Sequence, residues 1–150
     1  MKEEYRLESY QLSNISKEDI NKHLLRVEKI LLRSITRDIL VEYREYMSNR
    51  DIVDRTHFAL KRSLQNSDYL IIVQHNDASL FCISRFEYFN PHKPYKGLVP
   101  ALIVCDGCDS KICFKLFREL KRIARETDCK WYAMSHRIAP FKYNFQYIDL

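Results

Sequence analysis

Residues 98–138 read LVPALIVCDGCDSKICFKLFRELKRIARETDCKWYAMSHRI, and this stretch decides the fold. It begins with an apolar run over residues 98–104 and passes through a short polar turn at 105–109. Apolar residues then return at helical spacing from 110 to 127, and a second apolar segment starts at Lys130. The pattern predicts a strand, a loop, an amphipathic helix and a second strand.

The predicted helix has one apolar stripe, and its basic side chains project elsewhere. The stripe consists of Cys113, Leu116, Phe117, Leu120, Ile123 and Ala124, and the basic residues are Lys111, Lys115, Arg118, Lys121, Arg122 and Arg125. Asp109 or Ser110 is a natural N-cap. In an α/β sheet, anionic ligands tend to bind between such a strand and its helix, because free N–H groups and the helix dipole converge there. The turn is therefore the first candidate binding site.

The first 68 residues predict a strand followed by helices. Loose alternation over residues 5–12 predicts the strand. Ser16 and Asp19 form a capping box for the first helix, and Asp54 is a candidate N-cap for the last. The predicted helices cover residues 16–33, a segment that restarts at Ser34 or Thr36 and ends near Asn49, and residues 54 to about 65. The second of these is either a separate helix or a bent continuation of the first.

Later segments predict further strands. Residues 69–74 and 79–88 are rich in apolar and aromatic side chains and flank a polar turn at 75–77, which predicts an antiparallel hairpin. Pro140 marks a turn after the strand that starts at Lys130. Residues 142–148 alternate apolar and polar side chains as a final strand.

The composition is typical of a single globular domain over residues 1–150, with 46% hydrophobic and 30% charged residues. No run of about eighteen apolar residues occurs, and the start lacks the apolar segment of a signal peptide, so we expect a cytoplasmic protein without a membrane partner. The two glycines, Gly97 and Gly107, exclude glycine-rich phosphate loops.

Five cysteines predict free thiols rather than a disulfide framework. Cys105 and Cys108 form one C-x-x-C pair, and Cys113 and Cys129 lack the spacing of a second pair, so no metal site is expected. Cys82 and Cys113 are expected in the core. Cys108 stands near a helix N-terminus, where a thiol pKa is lowered.

The order of elements resembles the GNAT superfamily of acyl-coenzyme A N-acyltransferases. The best local match comprises residues 101–104, the helix with Leu116, Phe117 and Leu120, and then Lys130, Trp131 and Tyr132. The resemblance implies an α/β (α+β) fold with a mixed, mostly antiparallel sheet, flanked by N-terminal helices and one long amphipathic helix in the C-terminal half. It also implies acetyl-coenzyme A as cofactor and an amine as substrate.

The resemblance places the cofactor in the loop between the strand and the helix. Its residues there are Val104, Asp106, Gly107, Cys108, Asp109, Ser110 and Lys111. Family members have an R/Q-x-x-G-x-G/A signature at this point, whereas residues 105–112 read CDGCDSKI. Two carboxylates would repel a pyrophosphate unless Lys111 or Lys115 compensates. The sequence therefore implies an N-acetyltransferase whose cofactor loop is degenerate.

Three residues are candidates for proton transfer. Glu87 closes the predicted hairpin, where the family often has a substrate-side acid or base. Ser135 or His136 would face a cleft if the two strands that flank the long helix splay apart, as they do in the family, and could then accept a proton from an amine. An exposed Glu87 and a surface His136 are the alternative interpretation.

Two other classes of function are compatible with the sequence. Residues 117–150 are similar to the end of small GNAT-like proteins of short-tailed bacteriophages, some of which are internal virion components. This similarity implies a phage protein in the host cytoplasm or the virion, with a structural or interaction role in a larger complex. Its contact surface would include Tyr88, Phe89, Tyr95, Tyr143, Phe145 and Tyr147, half of which are expected in the core. A nucleic-acid-binding module that uses the basic helix residues is the third class.

Overall fold

The computed structural model describes residues 4–38, 49–139 and 142–150, except for the side chains at 35–38, 49, 52, 136–139 and 142–143. Within these residues there are six strands and three α-helices. The strands are β1 (Arg6–Gln11), β2 (Tyr69–His75), β3 (Ala78–Glu87), β4 (Gly97–Asp106), β5 (Trp131–Ala139) and β6 (Lys142–Asp149). The helices are α1 (Lys17–Asp38), α2 (Asn49–Gln65) and α3 (Ser110–Glu126), and a 3-10 turn lies at Leu12–Asn14.

One sheet contains the six strands in chain order. Neighbouring strands are antiparallel except β4 and β5, which are parallel. The helix α3 connects these two strands and returns the chain to the end of the sheet at which β4 begins. The parallel register joins only Gly97 with Trp131 and Leu98 with Tyr132. The described sheet is therefore two antiparallel sections joined at one short junction.

Helices cover both faces of the sheet. Leu70 and Ile72 of β2 lie in a core with α1 and α2, whereas Ile71 and Val73 lie in a core with α3. All four side chains are fully buried. Because β2 is covered on both sides, its apolar residues form a continuous run rather than an alternating pattern.

The sequence predicted a mixed, mostly antiparallel α+β fold and an amphipathic helix at α3, and the structure confirms both predictions. The predicted stripe of α3 faces the core, where Leu116, Leu120 and Ala124 are fully buried. Cys82 is also fully buried, as expected, whereas Cys113 is only half-buried at the edge of this core. Among the described residues, no helix is long and apolar enough to cross a bilayer.

One local prediction was wrong, and one open alternative is resolved in part. α1 continues through Ser34 and Thr36 to Asp38, which agrees with a continuation of the first helix and not with a separate helix that starts at those residues. Ser34 is buried within this continuous helix. α2 begins at Asn49, so Asp54 lies inside it and is not its N-cap. Residues 39–48 of the predicted second helix, and the turn at Pro140, lie outside the described part of the chain.

The aromatic side chains were predicted less well than the strands. Tyr88, Phe89, Tyr95, Phe145 and Tyr147 are all exposed, Phe89 to 84%, so the expectation that half of the set lies in the core was wrong for these five. The sixth, Tyr143, has a side chain outside the described part. Alternation failed here because Tyr88, Phe89 and Tyr95 lie in the loop between β3 and β4.

A buried carboxylate connects α3 to the edge of the sheet. Glu119 lies on the core side of α3 and accepts a hydrogen bond from the Ser9 hydroxyl of β1, at 2.8 Å. The Arg122 guanidinium also hydrogen-bonds to it, and this bond is the main reason why the pKa of Glu119 is lowered, against the effect of burial.

Gly97→Ala should destabilise the fold by about 2 to 3 kcal/mol, because a Cβ at this position would overlap the indole of Trp131. Urea unfolding would measure the free energy. Gly97→Ala should cost less stability in a protein that also carries Trp131→Phe, because the smaller ring leaves room for the methyl group. The double variant should therefore lose less stability than the sum of the two single changes. An additive result would contradict a contact between the two residues.

Glu119→Gln should lower the free energy of unfolding by about 1 kcal/mol at neutral pH. Because folding lowers the pKa of Glu119, its contribution is complete above the ordinary value of 4.5 and is lost as the pH falls through the folded pKa. The difference between wild type and Glu119→Gln should therefore shrink below about pH 4.5, as measured by urea unfolding from pH 7 to 3. Ser9→Ala should show a smaller effect in the same direction, and a constant difference at all pH values would contradict this assignment.

Candidate functional site

The β4 and β5 strands diverge towards the end of the sheet where α3 begins. They are paired only at their first two residues, and in the described chain the remainder of β4 to Asp106 is not paired with β5. β4 also contains a bulge, since Ser84 of β3 lies opposite Pro100 while Ile83 lies opposite Leu102. The N-terminus of α3 at Ser110 lies just beyond the end of β4. The open side of this strand pair, with the loop at residues 104–111, is the candidate site.

The N-terminus of α3 is capped by its own chain. One carboxylate oxygen of Asp109 accepts hydrogen bonds from the backbone N–H groups of Lys111 and Ile112, each at 3.1 Å. The carbonyl of Asp109 accepts a further bond from Cys113 N–H at 3.4 Å. The sequence left Asp109 and Ser110 as candidate caps, and the structure shows that it is Asp109 whose carboxylate occupies two amides that would otherwise attract an anion.

Asp106 has a structural partner at the end of β4. Its side chain is 1% exposed, and its Oδ2 lies 3.4 Å from Nε of Arg33 on α1. This ion pair holds the strand end against α1. No local pattern indicates such a pair, because 73 positions of the chain separate the two residues. Gly107 follows in a left-handed conformation, with φ 70°, which a glycine adopts without strain.

The other predicted cofactor residues differ in accessibility. Val104 is buried in the core on the α1 side of the sheet, so its side chain does not line the loop. Ser110 and Lys111 are exposed at the start of α3, and Cys108 is half-buried. The structure thus brings the loop residues together, and polar groups accessible to a ligand lie at its surface.

Three half-buried cysteines, Cys105, Cys108 and Cys113, lie at this loop along the margin of the core on the α3 side of the sheet. The Cys108 thiol donates a hydrogen bond to the carbonyl of Ser79 at 3.0 Å. The neighbouring thiols raise the pKa of Cys105, and Cys105 in turn lowers the pKa of Cys108 and lowers that of Cys113 to about 7, against the effect of burial.

The three candidates for proton transfer do not come together. Glu87 pairs with Gly97 at the closed end of the junction. Ser135 is half-buried and lies four residues beyond Trp131 on β5, about 13 Å further along the strand. His136 pairs with Asn144 of β6, and its side chain lies outside the described part. Glu87 is therefore remote from the other two.

A separate cavity of about 490 Å³ lies between the 3-10 turn, α1 and α2. Its lining includes the apolar side chains of Leu12, Ile20 and Leu64 and the basic side chains of Lys17 and Lys61. It does not include any of the predicted site residues. The described residues contain no group of three or more His, Cys, Asp or Glu side chains arranged to hold a metal ion.

A comparison with profiles of known protein families finds no match, and neither does a comparison with curated proteins. The function is therefore inferred from the fold and from the geometry of the site.

Asp109→Ala should destabilise the protein by about 1 kcal/mol, because it leaves the N–H groups of Lys111 and Ile112 without their cap. Asp109→Asn should cost less than half of this, since asparagine also caps helices well. Ser110→Ala, an exposed change at the next residue, is the matched control. Equal stability of Asp109→Ala and wild type in urea unfolding would contradict the cap.

Proposed function

We propose that this chain is a GNAT-like protein that binds acetyl-coenzyme A in the opening between β4 and β5 and transfers the acetyl group to an amine. The observation that carries the proposal is the parallel strand pair that is joined at two positions and then diverges, with the N-terminus of α3 at its open end. In the GNAT superfamily, the corresponding strand, helix and strand hold the cofactor.

The opening fits one part of the cofactor better than the other. The pantetheine arm is extended and contains amide groups, so it suits strand edges whose backbone groups are not paired with each other. The diphosphate suits the N-terminus of α3 only when the carboxylate of Asp109 moves away from Lys111 and Ile112. Asp109 therefore limits the affinity.

The chemistry requires a group that accepts the proton of the amine. Acetyl-coenzyme A supplies the thioester whose acetyl group is transferred. Ser135 and His136 lie on β5, which borders the opening, and we assign them to this step. Glu87 lies beside Gly97 at the closed end and is remote from Ser135, so the proposal gives it no part in this step.

Acetyl-coenzyme A should raise the melting temperature of the wild-type protein at millimolar concentration, because a ligand that binds only the folded state stabilises it. Asp109→Asn should bind the cofactor about tenfold more tightly, since it removes one negative charge beside the diphosphate and keeps the cap. Calorimetric titration would measure both dissociation constants.

Asp128→Asn is the matched control for charge. Asp128 is exposed beyond the other end of α3, and its φ of 61° is one that asparagine tolerates. This variant should bind the cofactor as the wild type does. Lack of a thermal shift in the wild type and in both variants would exclude the proposed function.

A non-catalytic protein that retains the fold is the second candidate. The observation that favours it is the pair of carboxylates in the loop, since Asp109 caps α3 and Asp106 is buried against Arg33. The exposed aromatic side chains would then contact other subunits of a larger assembly, such as a phage virion. Absence of cofactor binding together with a multi-subunit species on sizing would support this alternative.

Nucleic-acid binding has less support. Arg122 hydrogen-bonds to Glu119 and Glu126, and the Lys115 ammonium lies 4.4 Å from the centre of the Tyr5 ring. These contacts neutralise or occupy part of the basic face of α3.

A further inference from the structure

We propose that the cavity between the 3-10 turn, α1 and α2 binds a small amphiphilic carboxylate, with its head group held by the ammonium groups of Lys17 and Lys61. The ligand class is a monocarboxylate with an apolar chain of medium length. This inference does not depend on the proposed acetyltransferase function, because the cavity shares no residue with the opening between β4 and β5.

Two adjoining cavities form the proposed site, which we name the α1–α2 groove. The larger has a volume of about 490 Å³, and the second has a volume of about 440 Å³. Lys61 and Gln65 line both, so the groove is continuous along the last turns of α2. Each volume lies within the range of about 300 to 1,000 Å³ that is usual for small-molecule sites.

The groove offers an apolar surface at each end. Leu12, Ile20 and Leu64 line the larger cavity, where Leu12 and Leu64 are nearly buried and Ile20 remains partly accessible. Phe58 lines the second cavity and is 67% exposed. The methylene stems of the lysines add apolar surface beside their charges. An alkyl chain that lies on these groups removes their surface and its own from water.

The charge of the groove is positive. Its lining includes Lys17, Lys61 and Arg62 and contains no carboxylate. None of these three side chains forms an ion pair within the described part of the chain. Asp68 follows the lining residues in sequence, but its carboxylate accepts a hydrogen bond from the backbone N–H of Phe86 on β3, at 2.8 Å. The groove therefore attracts an anion and repels a cation.

The two helix ends at the groove have opposite effects on this charge. α1 begins at Lys17, so its positive end borders the groove, whereas α2 ends at Gln65 and contributes the negative end of its dipole. One amide at the start of α1, that of Asp19, already donates to the Ser16 hydroxyl at 3.2 Å. The ammonium groups rather than the helix dipoles thus determine the sign of the ligand.

A titration of the full, ¹⁵N-labelled chain with sodium octanoate would test the proposal by NMR. We expect saturable chemical-shift changes at backbone amides of residues 12–21 and 58–67, with a dissociation constant of about 1 mM or below. Butanoate has the same charge and a shorter chain, and it should bind about tenfold more weakly. The uncharged 1-octanol should also bind about tenfold more weakly, because it does not pair with the lysines.

Substitutions separate the charge of the groove from its shape. Lys61→Gln should weaken octanoate binding about fivefold, and Lys29→Gln, an exposed change twelve residues after Lys17 on α1, is the matched control and should have no effect. Asn21→Trp should abolish binding although both lysines remain, because the indole fills the larger cavity, which Asn21 lines from an exposed helix position. Circular dichroism would show that each variant is folded.

Several results would overturn the proposal. Binding of butanoate or inorganic phosphate as tightly as octanoate would mean that charge alone acts, and equal binding of 1-octanol would mean that the lysines do not. Equal effects of Lys61→Gln and Lys29→Gln, or the absence of saturable shifts at the named amides, would also contradict it. The comparison of ligands on the wild-type protein needs no substitution, so it decides the matter even where a variant does not fold.

Discussion

The packing of Trp131 on Gly97 joins the two sections of the sheet. The indole lies where any Cβ at residue 97 would be, and its Nε1 donates to the carbonyl of Tyr95 at 3.2 Å. Beside this contact, the backbone N–H of Lys130 donates a hydrogen bond to the backbone carbonyl of Lys96 at 2.8 Å. The parallel pairing next to it covers only two positions, so side-chain packing supplies much of what holds β5 and β6 to the remaining strands. The divergence of the strands, and with it the candidate site, begins where this contact ends.

Elements with a strong local signal could be predicted from the sequence. The period of α3 and the polar turn of the β2–β3 hairpin depend on neighbouring residues, and their bounds agree with the structure within about two residues. Ser34 shows the limit, because the local pattern allowed either a restart or a continuation of the first helix there, and the burial of Ser34 is a tertiary property. The bulge of β4 at Pro100 depends in the same way on the partner strand.

The candidate site was predicted in part. The N-cap of α3 was predicted to be Asp109 or Ser110 from residue type and position, which are local, and the structure selects Asp109. The burial of Asp106 against Arg33 was not predicted, since it depends on how α1 packs on the end of β4. The distance between Glu87 and Ser135 follows from strand register, which periodicity alone does not determine.

The short junction between β4 and β5 also determines how the protein can open. The β5–β6 hairpin is held internally by pairing along its length, whereas it is attached to β4 at two positions. Because backbone pairing is shortest there, we expect local opening of the native state to begin at this junction, at the cost of the packing of Trp131 and Tyr132. In such a protein the rate of local opening, rather than global unfolding, governs when the interior between the two sections meets solvent.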